Sequence, residues 1–111
     1  MNKTELLKNY INLKTEILES IAQDLIPINL EPGEKLNDFN QDVPGVFFII
    51  KGKLRLLDKS NSGEIFTIKT FSEGKYIGAI QLLRGVLGQS ITASNNVSGL
   101  LLPANKFIRL I

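Results

Sequence analysis

The side chains of this 111-residue sequence that could do chemistry are few. It contains no histidine and no cysteine, which removes the commonest general base, the commonest metal ligand and any thiolate nucleophile. Glu31 with Glu34 and Asp38 with Asp42 are carboxylate pairs, but each stands among turn residues with no histidine or second metal ligand beside it. Such pairs read as solvated turns rather than as an acid–base couple. Lys51, Lys53 and Arg55 alternate, so on a single strand they would share one face and offer an anion or lipid headgroup a patch. A plain solvated strand face explains the same spacing. Neither a P-loop nor a dinucleotide-binding glycine fingerprint occurs. What remains is Gly74 to Ala93, in which Gly74-Lys75-Tyr76-Ile77-Gly78 leads into Ala79-Ile80-Gln81-Leu82-Leu83-Arg84-Gly85 and then, through Val86-Leu87-Gly88, into Gln89-Ser90-Ile91-Thr92-Ala93. Strand, glycine, one apolar helical turn and strand again make an anion cradle, because the unpaired N–H groups at a helix start point outward. The chemistry on offer is recognition, not catalysis.

The elements that must hold this stretch follow from periodicity. Asn2 to Leu25 reads as helix, with Leu6, Leu7, Tyr10, Ile11, Ile17, Leu18, Ile21 and Leu25 forming one apolar stripe. Asn2 with Glu5 would cap its start, and Asn12 and Thr15 allow a break into two helices. Pro27 ends whichever helix reaches it. The stripe must be buried, either on this chain's own sheet or in a homodimer or interdomain contact.

From Ile28 onward the signals are short strands between turns. Pro32-Gly33 fits a type II turn, and Asn37 to Gly45 is polar and turn-rich. Val46-Phe47-Phe48-Ile49-Ile50 is a continuous apolar run, too short for a typical helix, and reads as a buried strand. Its Phe pair belongs to the core rather than to a base-stacking platform. Gly52 turns the chain into Leu54-Arg55-Leu56-Leu57, and Glu64 to Phe71 returns as the hairpin partner. Val97 to Leu102 is a last strand, and Pro103 opens a helix. The expected core is Phe47, Ile49, Leu54, Leu56, Ile65, Ile68, Ile77, Leu82, Ile91 and Leu100. An apolar fraction of 43%, a charged fraction of 22% and a net charge of +2 are those of a globular domain with no call for nucleic acid. No run is long enough to span a bilayer, and no signal peptide is apparent, so a cytoplasmic domain with no membrane insertion is expected.

Four pieces in order resemble the cyclic nucleotide-binding domain family. They are Leu30-Glu31-Pro32-Gly33-Glu34-Lys35-Leu36, Val46 through Leu56, Phe71-Ser72-Glu73-Gly74-Lys75-Tyr76-Ile77-Gly78, and Leu102-Pro103-Ala104-Asn105-Lys106-Phe107. The resemblance implies a mainly β fold. It is a cupin-like jelly roll, or double-stranded β-helix, with N-terminal helices, a short cassette helix and the start of a C-terminal helix. Residues 1–27 would be a helical segment and 28–111 the roll. A cupin-type metal enzyme is not expected, since its metal site depends on histidine.

The same resemblance makes Gly78, Ala79, Ile80, Gln89 and Ser90 the cassette positions. Family members that bind cyclic nucleotides carry a Glu for the ribose where Ala79 stands, and an Arg for the phosphate near Gln89, with Gly88 replacing the usual Pro. No carboxylate follows Glu73, and Arg84 is the nearest arginine. Cyclic nucleotide binding is therefore not expected and no cofactor is implied. The expected function is a non-catalytic regulatory module contacting other domains of a parent protein, with an atypical nucleotide or small anion as the alternative ligand. Leu82-Leu83-Arg84-Gly85, Thr92-Ala93-Ser94 and Leu100-Leu101-Leu102-Pro103-Ala104 look similar to N-terminal domains of cyanobacterial ABC exporters for toxins or bacteriocins. On that reading the chain is a fragment of an ATP-binding transport protein of the plasma membrane.

Overall fold

The computed structural model describes Lys3 and residues 15–110. Three helices occur among the described residues: α1 (Thr15–Asp24), α2 (Ala79–Arg84) and α3 (Ala104–Ile108). The strands are β1 (Ile26–Leu30), β2 (Lys35–Asn37), β3 (Gly45–Lys51), β4 (Leu54–Lys59), β5 (Ile65–Phe71), β6 (Tyr76–Ile77), β7 (Ser90–Ala93) and β8 (Val97–Pro103). They form two antiparallel sheets, β1-β8-β3-β6 and β2-β7-β4-β5, packed face to face. This is the expected mainly β roll, with a helix on each flank and one inside the cassette. Leu6, Leu7, Tyr10, Ile11, the Asn2–Glu5 cap and the break at Asn12 lie outside the described residues. Helix α1 stops at Asp24, and Pro27 sits inside β1, an edge strand where a missing N–H is tolerated.

Alternation along β3 sends its side chains two ways. Phe47 and Ile49 point between the sheets, where they meet Leu54, Leu56, Ile77, Ile91, Ala93 and Leu101. Val46 and Phe48 point outward and, with Leu100 and Leu102 of β8, meet Leu18, Ile21, Ala22 and Leu25 from α1 and its end. The described part of the N-terminal stripe is thus covered by the chain's own sheet. Leu82 touches both clusters and is half-buried.

Three expectations about burial are corrected. Ile50, the last residue of the run read as a buried strand, is 40% exposed where β3 runs out toward its turn. Ile65 and Ile68 are 57% and 46% exposed, because β5 is the outer strand of its sheet with no further strand beside it among the described residues. A register shift between Leu56, opposite Lys69, and Leu57, opposite Thr67, also leaves Ile68 out of the pairing with β4, as a β-bulge does. Lys51, Lys53 and Arg55 do not share a strand face either. Lys51 ends β3, Lys53 lies in the turn after Gly52, and Arg55 is on β4, which belongs to the other sheet.

Candidate functional site

The cassette is entered by a tight turn in which the Lys75 N–H donates to the Ser72 carbonyl at 3.1 Å. Strand β6 then pairs with the middle of β3 and ends at Gly78, whose φ is 112°. A Cβ there would lie 2.1 Å from the Gly45 carbonyl oxygen. Both the dihedral and the space therefore demand glycine. The Leu82 N–H donates to the Gly78 carbonyl at 3.0 Å, which closes the first turn of α2. Gly85, with φ 63°, ends the helix, and the Val86 N–H turns back to the Gln81 carbonyl at 2.9 Å. The single apolar turn closed by Gly85 is as the spacing predicts.

Among the described residues, the candidates do not line one cavity together. Ala79 is half-buried and packs toward the α1 side of the sheet. Ile80 is 62% exposed. Gln89 is half-buried, and its Oε1 accepts from Gln81 Nε2 at 3.4 Å, a long bond between neutral amides. Ser90 is fully buried, and its Oγ donates to the Asn37 carbonyl at 3.0 Å. A hydroxyl carries one proton, so at the 3.1 Å contact with Thr92 it is the Thr92 hydroxyl that donates to Ser90. Ser90 thus has no proton left for a ligand. Arg84, at the last turn of α2, is exposed. A cavity of about 60 Å³ is lined by Phe71 and the residues from Tyr76 to Gln81. A wider depression of about 510 Å³ lies between β5 and β6, with Lys69, Lys75, Tyr76 and Ile80 on its walls. Gln89 and Ser90 line neither.

Two residues of this network, Asn37 and Gln81, lie outside the predicted set. Asn37 Nδ2 donates to the Gln89 carbonyl at 2.9 Å and to the Asp38 carbonyl at 3.4 Å. It is 2% exposed, and its Oδ1 has no partner among the described residues. An unpaired buried acceptor costs about 1–3 kcal/mol. The sequence signal was weak: Asn37 opens a polar stretch that reads as loop, and only its place after Leu36 marks the end of a strand. Gln81 is buried on the inner side of α2, one turn from Gly85, in a run that reads as apolar helix.

The carboxylates serve turns. Glu34 Oε1 accepts the Glu31 N–H at 2.8 Å. Asp38 accepts the Phe39 N–H at 2.8 Å and Lys35 Nζ at 3.2 Å. The Phe39 N–H first, and then Lys35, hold the Asp38 carboxyl below its usual range, against a small opposing effect of burial. No group of three or more metal-ligating side chains occurs among the described residues, and none of the described helices is long and apolar enough to cross a membrane.

Two antiparallel sheets with a glycine-hinged helical turn between β6 and β7 define a jelly-roll domain of the cassette-bearing kind. A family model, the cyclic nucleotide-binding domain, matches residues 27–111, and the chain belongs to that family. No curated protein sequence matches it. Among solved structures, a regulatory protein of Silicibacter pomeroyi DSS-3 described as cAMP-binding superposes with a TM-score of 0.85 at 17% identity, over 97% of this chain and 51% of that one. The regulatory subunit of a cAMP-independent protein kinase A from Trypanosoma cruzi, bound to guanosine, gives 0.86 at 19% over 96% of this chain and 39% of that one. A triple mutant of the corresponding Trypanosoma brucei subunit, bound to cAMP in its A site, gives 0.80 at 17% over 96% and 39%. The chain spans about half the length of the first of these or less, and at such identities the likeness is one of fold.

Proposed function

We propose that this domain is a non-catalytic regulatory or interaction module whose cassette does not take ordinary cyclic nucleotides, and that it belongs to a larger membrane-transport protein of the ABC exporter kind. One observation carries the first half. The cassette's buried polar groups spend their donors on one another: Ser90 on Asn37, Asn37 on Gln89, and Gln81 on Gln89. Against that background Ala79 and Gln89 stand where the family's ribose-binding Glu and phosphate-binding Arg would be. A cyclic phosphate keeps its charge, and a neutral amide does not replace a bidentate guanidinium. Two charged hydrogen bonds at roughly 1.5–3 kcal/mol each correspond to about two to four decades of affinity. The exporter parent rests on the similarity of Leu82–Gly85, Thr92–Ser94 and Leu100–Ala104 to such proteins. Other domains of that parent are the expected partners.

A second reading, a sensor for an atypical nucleotide or small anion, has one support. A relative of the same fold is a cAMP-independent subunit that holds guanosine, a nucleoside without phosphate. A triple mutant of its T. brucei counterpart, one of whose changes installs an arginine, holds cAMP. Calorimetry separates the readings. The wild-type chain should show no heat with cAMP or cGMP at micromolar concentration, and Ala79→Glu with Gln89→Arg should gain weak binding. Tight binding by the wild type would refute the proposal, and heat with guanosine alone would favour the sensor.

A further inference from the structure

The pairing of β2 with β7 is irregular. Lys35 stands opposite Thr92 but Asn37 opposite Ile91, so the register slips within three residues. A slip of this kind leaves ladder groups without their regular partners. At this point two side chains take over. Asn37 Nδ2 donates across to the Gln89 backbone carbonyl at 2.9 Å, and Ser90 Oγ donates back to the Asn37 backbone carbonyl at 3.0 Å. Each residue's side chain bonds backbone on the opposite strand, at the Gln89–Ser90 step that ends the cassette. Both residues are buried, at 2% and 0% exposure, so water does not compete for these bonds.

We infer that Asn37 is the positioning residue of the cassette's descending limb, acting through the hydrogen on its Nδ2. With its Oδ1 unpartnered among the described residues, the described bonds of the side chain are made by its donor end. The clamp fixes where residue 89 presents its side chain, and it commits the Ser90 proton away from the cassette. The inference concerns the site of the proposed function but not its ligand. Its test therefore involves no ligand, and its failure would leave the calorimetric result unaffected.

The test is hydrogen–deuterium exchange on the 111-residue chain, read as protection factors residue by residue, for Asn37→Leu and Asn37→Asp. Asn37→Leu keeps the number and branching of the side-chain heavy atoms and removes both polar ones, so folding should survive. Amides of Gln89 to Thr92 should then lose about tenfold in protection while those of Phe48 and Leu101, in the other sheet, stay as in the wild type. Asn37→Asp supplies an internal control through pH. Burial raises the carboxyl's pKa, and the protonated form can donate to the Gln89 carbonyl as the amide does. The ionised form cannot, and it faces two carbonyl oxygens. Protection of the limb should be near wild type at pH 4.5 and fall about tenfold or more as the pH rises to 7.5, with the wild type as reference at each pH. The proposal is overturned by any of three results: wild-type protection of the limb in Asn37→Leu, a loss there matched by an equal loss at Phe48 and Leu101, or an Asn37→Asp defect that does not shrink in acid.

Discussion

The two sheets have the same number of strands but differ in how evenly they are covered. In β1-β8-β3-β6 both faces are covered, by the facing sheet within and by α1 and α3 without, and Val46 to Ile49 are all buried. In β2-β7-β4-β5 the cover is uneven: all four residues of β7 are buried, Ser90 and Thr92 on the face away from the inter-sheet core included, whereas β5 is exposed at every position from Ile65 to Thr70. The difference is written in the apolar pattern only in part. A continuous run such as Val46 to Ile49 or Leu100 to Leu102 requires cover on both sides, because alternation puts half of it on each face. The apolar residues of β5 look like a buried strand's, but no element among the described residues lies beyond this edge. Burial depends on what neighbours a strand has as much as on what it contains.

The largest test of this contrast is Phe48→Ala. It removes the ring that α1 packs against without touching the inter-sheet core, and it should cost about 3–5 kcal/mol in chemical denaturation. A loss below 1 kcal/mol would mean that the outer face of β3 contributes little. Ile65→Thr, a smaller deletion of apolar surface on β5, should stay within about 0.5 kcal/mol. A core-sized loss there would show that β5 is covered in solution. The smallest effect is expected at Asp38, beside β2. Its carboxyl pKa is depressed by the Phe39 N–H and Lys35, so its contribution is present above the ordinary carboxylate range and disappears as pH falls through the depressed value. Asp38→Asn should therefore make stability less sensitive to acid and change it little at neutral pH. Identical acid limbs for the two proteins in urea melts would remove that assignment.

Much of this fold was legible because single residues have few options. Pro32-Gly33 turns as expected, with Gly33 at φ 86° and the Glu34 N–H bonded to the Glu31 carbonyl at 3.0 Å. Gly85 ends α2, Pro103 precedes α3, and Phe47, Ile49, Leu54, Leu56, Ile77, Ile91 and Leu100 are buried. What was not legible depended on contacts distant in sequence. The exposure of Ile65 and Ile68 follows from strand order, and the separation of Lys53 from Arg55 follows from where β4 begins. Asn37 is a polar residue in a polar stretch until β7 is laid beside it. Its partner lies 52 residues away, beyond the reach of any local pattern.

The approach of Gly78 to Gly45 bears on how such a domain can change over time. A Cβ on Gly78 would meet the Gly45 carbonyl oxygen at 2.1 Å, and one on Gly45 would meet the Leu102 carbonyl oxygen at 2.0 Å. Three separate strand ends are thus in backbone contact, and no side chain can be traded for another there. The cassette positions Ala79, Ile80 and Gln89 are under no such restriction: each is exposed or half-buried, and its side chain can change with the roll still closed. Descendants of this sequence can therefore vary at such exposed or half-buried positions, while Gly45 and Gly78 remain fixed for as long as the architecture is inherited.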